Sequence, residues 1–291
     1  MFVVRHIAAG SDASAVEFET AVVRDANYVP DYKREFDFYM VILKTDEEIE
    51  RIQTACQIVA QTLDILGQHL RPGISTLELD AIAEAEIRKA GAIPAFKGYR
   101  GFPATLCVAV NEVIVHGIPS QLRLKEGDII GLDLGAIWKG FYGDAARTFA
   151  VGKISPMAQK LIDVTRESLQ IAIENAQPGN RLGDIGHAVQ SFVEGHGYSV
   201  VREFVGHGIG RNLHEDPQVP NYGKKGQGHR IKPGMALALE PMVCVGGPEV
   251  EILDDNWTAI TRDRSLAAHF EHSIAITSQG PMVLSQSNVV H

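Results

Sequence analysis

Apolar residues return every three or four positions over the segment holding Ile49, Ile52, Cys56, Val59, Leu63 and Leu66, the spacing of one buried face of an amphipathic helix. Thr45, followed three residues later by Glu48, has the capping-box pattern that starts such a helix, and Arg71-Pro72-Gly73 is punctuation that stops it. Ser75 with Glu78 repeats the capping pattern and opens a second helix carrying Leu79, Ile82 and Ile87 towards Gly91.

The pattern recurs at a constant offset of 106 residues: Pro72-Gly73 matches Pro178-Gly179, Leu79 matches Ile185, Ile82 matches Ala188, Ile87 matches Val193, and Gly91 matches Gly197. Matching punctuation and matching apolar positions predict two similar halves related by pseudo-twofold symmetry, the second opened by a helix starting near Ser155-Pro156. Between and after the helices, residues 104–115, 128–134, 145–151, 199–205, 235–245, 257–261 and 269–277 have the composition of strands. The predicted class is α+β, with helices on the outer face of a curved, largely antiparallel sheet and a site on its inner face.

Length and composition narrow this picture. A chain of 291 residues with 45% hydrophobic and 22% charged residues is expected to build one main domain, here residues 43–291, preceded by an N-terminal extension of residues 1–42. The formal net charge of -9 argues against nucleic acid and anionic membranes as partners. Cys56, Cys107 and Cys244 are odd in number and far apart, which fits a reducing cytoplasm and no disulfide framework. The N-terminal apolar run is broken by Arg5 and His6, and the acids that follow it do not fit a transit peptide.

The candidate chemistry lies where polar residues interrupt apolar runs. Phe204 to Asn221 sets His207 and His214 among glycines, which allow the backbone to approach a ligand closely. Asp133 stands between Leu132 and Leu134, Glu240 in MALALEPMV and Glu271 in AAHFEHSIAI, and each carboxylate needs compensation there. Singly, ordinary structural roles suffice: Asp144 at a Gly143-Asp144 turn, His207 as a satisfied core histidine, Glu271 as a strand-edge charge. Together, Asp133, Asp144, His207, Glu240 and Glu271 form a set of hard oxygens plus one imidazole, suited to a pair of divalent ions such as Mn, Co, Fe or Zn.

The ordered series VNEVIVHGIP, LDLGAIWKGFYGDAARTF, FVGHGIGRNLHEDP, ALEPMV and HFEHSIAIT resembles the type I methionine aminopeptidases of the pita-bread metallopeptidase fold, over roughly residues 43–280. The resemblance implies removal of N-terminal methionine from peptides and nascent chains, in transient proximity to the ribosome, by water activated between two metal ions. It implies that Asp144 and Glu271 bridge the ions, while Asp133, His207 and Glu240 complete the ligand set. Glu240 would also exchange protons with the attacking water. It further implies that His116 and His214 act catalytically on the substrate side, where a turn histidine and an N-capping-like histidine are the ordinary readings. Phe96, Tyr99, Phe102, Cys107 and Trp257 would form an apolar pocket for the methionine thioether, with core packing as the ordinary reading for Phe96, Phe102 and Cys107.

Tyr142, Val115 and Leu213 depart from the commonest pattern, which bears on pocket shape rather than on the ligands. An aminopeptidase P or prolidase shares the fold and ligands but cleaves before proline, and VNEVIVHGIP with EPMV favours the methionine branch. A non-catalytic binding protein on this fold would be expected to have lost ligands, and a structural protein with incidental acids would need no metal.

Overall fold

The computed structural model describes residues 41–286. Almost all of the predicted extension, residues 1–40, lies outside the described residues. Among the described residues four α-helices form where the caps and apolar spacing place them: α1 Asp46–His69, α2 Thr76–Lys89, α3 Pro156–Asn175 and α4 Leu182–Gly195. Both predicted capping boxes are made. Thr45 Oγ1 accepts the Glu48 N–H at 3.3 Å while Glu48 returns the bond to the Thr45 N–H at 3.1 Å, and Ser75 with Glu78 does the same at 3.2 and 2.9 Å. Each cap satisfies amides that the helix cannot, a contribution of about 1 kcal/mol apiece.

The internal repeat is visible in backbone geometry. Gly73 and Gly179 sit at φ +90° and +93°, and Gly91 and Gly197 at +75° and +81°, in the left-handed region that favours glycine. The Gly73 N–H donates to Leu124 and the Gly179 N–H to Ile231, while the Thr76 N–H donates to Leu122 and the Leu182 N–H to His229. The same hydrogen bonds thus tie each second helix to the strand-like segment of its own half.

Every strand pairing among the described residues is antiparallel. In the first half, Leu79, Ile87, Leu63 and Leu66 pack on Leu106, Leu132 and Leu134. In the second, Leu161, Leu169, Ile185 and Val193 pack on Leu237, Val243 and Ile274. Each such buried side chain contributes roughly 1.5–3 kcal/mol of transfer free energy, which holds the helices to one face of the strands.

Segment 104–115 breaks into Leu106–Val110 and Val113–Val115, segment 199–205 keeps only Ser199–Val200, and three further departures from expectation bear on the site. The hairpin Ile129–Trp138 with Phe141–Ala150 turns at Lys139-Gly140, both at positive φ, so Asp144 lies inside a strand and the Gly143-Asp144 turn does not exist. Segment 235–245 breaks at Glu240-Pro241 because proline has no N–H to give a ladder. Ala236–Leu239 then pairs with Gly206–Gly208 and His272–Thr277, whereas Met242–Cys244 pairs with Ser199–Val200 and Ala267–His269. Segment 269–277 also breaks, without a proline, leaving Phe270 and Glu271 between Ala267–His269 and His272–Thr277. Both glutamates therefore occupy points where the chain changes strand partners. Among the described residues no helix is long and apolar enough to cross a membrane.

Candidate metal centre

Alternation along the strands decides which side chains face inward. Leu132 and Leu134 are buried under α1 and α2, so Asp133 between them projects to the opposite face. A Cβ on Gly143 would lie 2.3 Å from the Cys56 nitrogen, so α1 presses directly on the strand there and Asp144, the next residue, points away from the helix. Asp133 pairs with Ala146 and Asp144 with Gly135, which makes the two aspartates diagonal neighbours on one face.

The second half brings the other three. His207 pairs with Ala238, and Ala238 with Ser273, so Glu240 and Glu271, each two residues from that row, fall on the same face. The halves are stitched at this point: the Glu271 N–H donates to Ala146 at 2.8 Å and the Ser273 hydroxyl to the Asp144 carbonyl at 2.8 Å.

Asp144, His207 and Glu271 are buried, and one ligand atom from each lies within 4.8 Å of the others. His207 Nδ1 donates to the Gly208 carbonyl at 2.9 Å, which leaves the Nε2 lone pair facing Asp144 Oδ2 at 4.0 Å and Glu240 Oε1 at 3.6 Å. Those separations are too long for hydrogen bonds and suit groups that share a cation. Asp133 Oδ1, Asp144 Oδ1 and Glu271 Oε1 are buried without a hydrogen-bond partner. Burial, with repulsion from the neighbouring carboxylates, raises Asp144, Glu240 and Glu271 well above the usual carboxylate range, and burial raises Asp133. Crowded acids with orphaned oxygens and one imidazole whose tautomer is fixed make a donor set that fits divalent metal.

Around this set lie the remaining residues singled out in the sequence. His116 is at φ +61°, its ring edge-on to Phe204 at 5.2 Å and to Trp257 at 6.4 Å. Burial lowers its pKa to about 4, so the ring is neutral at pH 7. His214 precedes the strand Glu215–Val219, so no helix follows for it to cap. Its ring lies 4.3 Å from that of His207, and its Nδ1 is 2.8 Å from the Tyr99 hydroxyl. Phe96, Phe102 and Cys107 are buried in one cluster with Leu213, against which Tyr99, Tyr142 and Trp257 pack. Cys107 is the register partner of Asp133, which brings this apolar cluster to the edge of the carboxylates. Of the three departures, Tyr142 and Leu213 belong to this cluster, whereas Val115 packs elsewhere with Met242 and Cys244.

Sequence reasoning passed over two further features. Lys44 and Glu215 form an ion pair at 2.6 Å with side chains only 4% and 5% exposed, next to His214. Their separation along the chain leaves no local pattern to find. His269, buried on the approach to Glu271, reads as one more residue of a strand, although a histidine between Ala268 and Phe270 was a signal.

The model of metallopeptidase family M24 matches residues 50–278. A methionine aminopeptidase of Clostridium acetobutylicum is 53% identical over 247 residues, covering 84% of this chain and 99% of that protein. One from Escherichia coli is 43% identical over 247 residues, covering 84% and 94%. Among solved structures, the methionine aminopeptidase of Rickettsia prowazekii superposes with a TM-score of 0.84 at 40% identity, covering 85% of this chain and all of that one. A prolidase of Pyrococcus furiosus gives 0.70 at 25% identity, and this chain spans 66% of its length.

Proposed function

The chain belongs to metallopeptidase family M24, with the α+β pita-bread fold, and from that premise we propose how it carries out methionine aminopeptidase activity. The observation that carries the proposal is the buried trio Asp144, His207 and Glu271, joined by Glu240 and Asp133, with carboxylate oxygens that no protein group satisfies. These residues would hold two divalent ions. Ions bound there acidify a water and polarise the scissile carbonyl.

The protein's own groups do the rest. Glu240, less buried than the trio, would take a proton from the attacking water. With Nδ1 engaged by Tyr99, His214 would use Nε2 to donate to the carbonyl oxygen as it gains charge, and His116 would bond the substrate amide. Phe96, Tyr99, Phe102, Cys107, Leu213 and Trp257 supply an apolar pocket whose aromatic edges suit a thioether, at roughly 0.3–1.5 kcal/mol per sulfur–ring contact. Substrates are peptide N-termini. Nascent chains in a cytoplasm, met near the ribosome, are the setting that fits this chemistry.

Metal-stripped protein reloaded with Mn or Co is expected to release methionine from Met-Ala-Ser and to leave Ala-Pro-Gly intact. Cleavage of the proline peptide alone would assign the prolidase reaction instead.

A further inference from the structure

His269 is a buried histidine that the reaction outlined above leaves unused. It ends the strand Ala267–His269, and its register partner is Met242, two residues past Glu240. Glu240 is therefore its diagonal neighbour across the strand pair, and His269 Nε2 lies 3.8 Å from Glu240 Oε2. The backbone of His269 is clamped at both polar groups by one side chain: its N–H donates to Thr148 Oγ1 at 2.9 Å, and the Thr148 hydroxyl donates back to its carbonyl at 2.8 Å. Thr148 lies on the strand that carries Asp144.

With its backbone so held, His269 has one unexplained side-chain atom, because Nε2 is buried and has no hydrogen-bond partner. Leaving a buried donor unmet costs about 1–3 kcal/mol, so such an atom calls for a partner that the working protein supplies. Glu240 is suited to be that partner. Its Oε1 faces His207 and the trio, and its Oε2 faces His269. A carboxylate that gives one oxygen to a metal needs its other oxygen held, or it rotates and loses the geometry.

We propose that His269 is a positioning residue for Glu240, its Nε2–H donating to Oε2 while Oε1 serves the metal. This rests on Glu240 being a ligand. The neutral ring carries the hydrogen bond, and the donor rather than charge or volume is what matters: a glutamine at this position keeps a donor of similar reach, and a phenylalanine keeps the volume without the donor.

The test uses the full chain, stripped of metal and titrated with Mn(II) in a calorimeter, alongside kcat and KM for Met-Ala-Ser. His269→Phe is expected to weaken Mn(II) binding by roughly 10–100-fold, the usual effect of losing a group that orients a ligand, and to lower kcat with KM nearly unchanged. His269→Gln is expected to restore both. Unaltered Mn(II) affinity in His269→Phe, or a glutamine variant as weak as the phenylalanine one, overturns the proposal. Should the phenylalanine variant fail to fold, His269→Asn, whose shorter amide does not reach Oε2, is read against the same two outcomes. Glu240→Gln separates the premise: if it binds Mn(II) as the unaltered protein does, Glu240 is no ligand and the positioning role falls with it. Weak binding by Glu240→Gln together with normal binding by His269→Phe sinks the positioning role alone.

Discussion

The hydroxyl of Tyr99 and Nδ1 of His214 are 2.8 Å apart, with their rings stacked at 5.4 Å between centroids. A hydroxyl that donates to Nδ1 leaves the ring proton on Nε2, the nitrogen that the proposed reaction uses. Tyr99→Phe keeps the stacking and removes the bond, which is worth about 1 kcal/mol. The expected result is a kcat lowered roughly five- to tenfold, measured on Met-Ala-Ser, with metal content unchanged.

Lys44 and Glu215 are paired away from water, and Lys44 Nζ also donates to the Ile42 carbonyl at 2.9 Å. Removing one member of such a pair strands a buried charge, at a cost of about 3–5 kcal/mol, whereas removing both costs far less. Urea unfolding of Lys44→Met should show that loss, and Lys44→Met with Glu215→Met should recover much of it. Because Glu215 adjoins His214, the single variant should also turn over more slowly.

Gly143→Ala puts a methyl group into the backbone of α1 at Cys56. Overpacking of this kind costs about 1–3 kcal/mol, and the strand must shift beside Asp144. A lowered thermal midpoint together with weaker Mn(II) binding is expected, and a variant that lost neither would show that the contact relaxes without moving Asp144.

The raised carboxylates Asp133, Asp144, Glu240 and Glu271 give metal binding a definite dependence on pH. Their unfolded values are about 4, so the metal-free folded protein keeps protons that the unfolded chain has released. The stability they contribute is fully present below pH 4 and erodes as pH rises towards their folded values. His207 and His269 act oppositely: burial lowers them to about 4 and about 3, so stability is lost as pH falls from the ordinary histidine value through those values. Above pH 7 the histidines are neutral in both states and the acids alone remain. Mn(II) must displace their protons, so its affinity should climb with pH, and calorimetry in buffers of different ionisation enthalpy at pH 7 should register proton release. Binding without proton release would mean the acids are already ionised.

The helices were legible because their signals are local: Thr45 with Glu48, Ser75 with Glu78, and glycines forced to positive φ are read within a few residues. Asp133, Glu240 and Glu271 were legible because a carboxylate in an apolar strand stands out wherever the strand goes, and His207 because it sits between glycines. What stayed hidden depends on pairing at long range. Pro241 marked one strand break, but nothing in Phe270-Glu271-His272 marked the other, and the neighbours of His269 and Lys44 are known only once the ladders and loops are in place. Asp144 was given a turn as its ordinary alternative because Gly143 looked like a turn glycine, whereas the glycine answers to the close approach of α1.

Asp133 and Asp144 belong to the first of the two repeated halves, and His207, Glu240 and Glu271 to the second, the last two at points where the chain passes from one set of strand partners to another. A cation shared across them would work as a rivet through the seam. Loading would then fasten a seam that the Glu271–Ala146 and Ser273–Asp144 hydrogen bonds already close, so that starvation for metal would lower the stability of both halves at once as well as silence the chemistry.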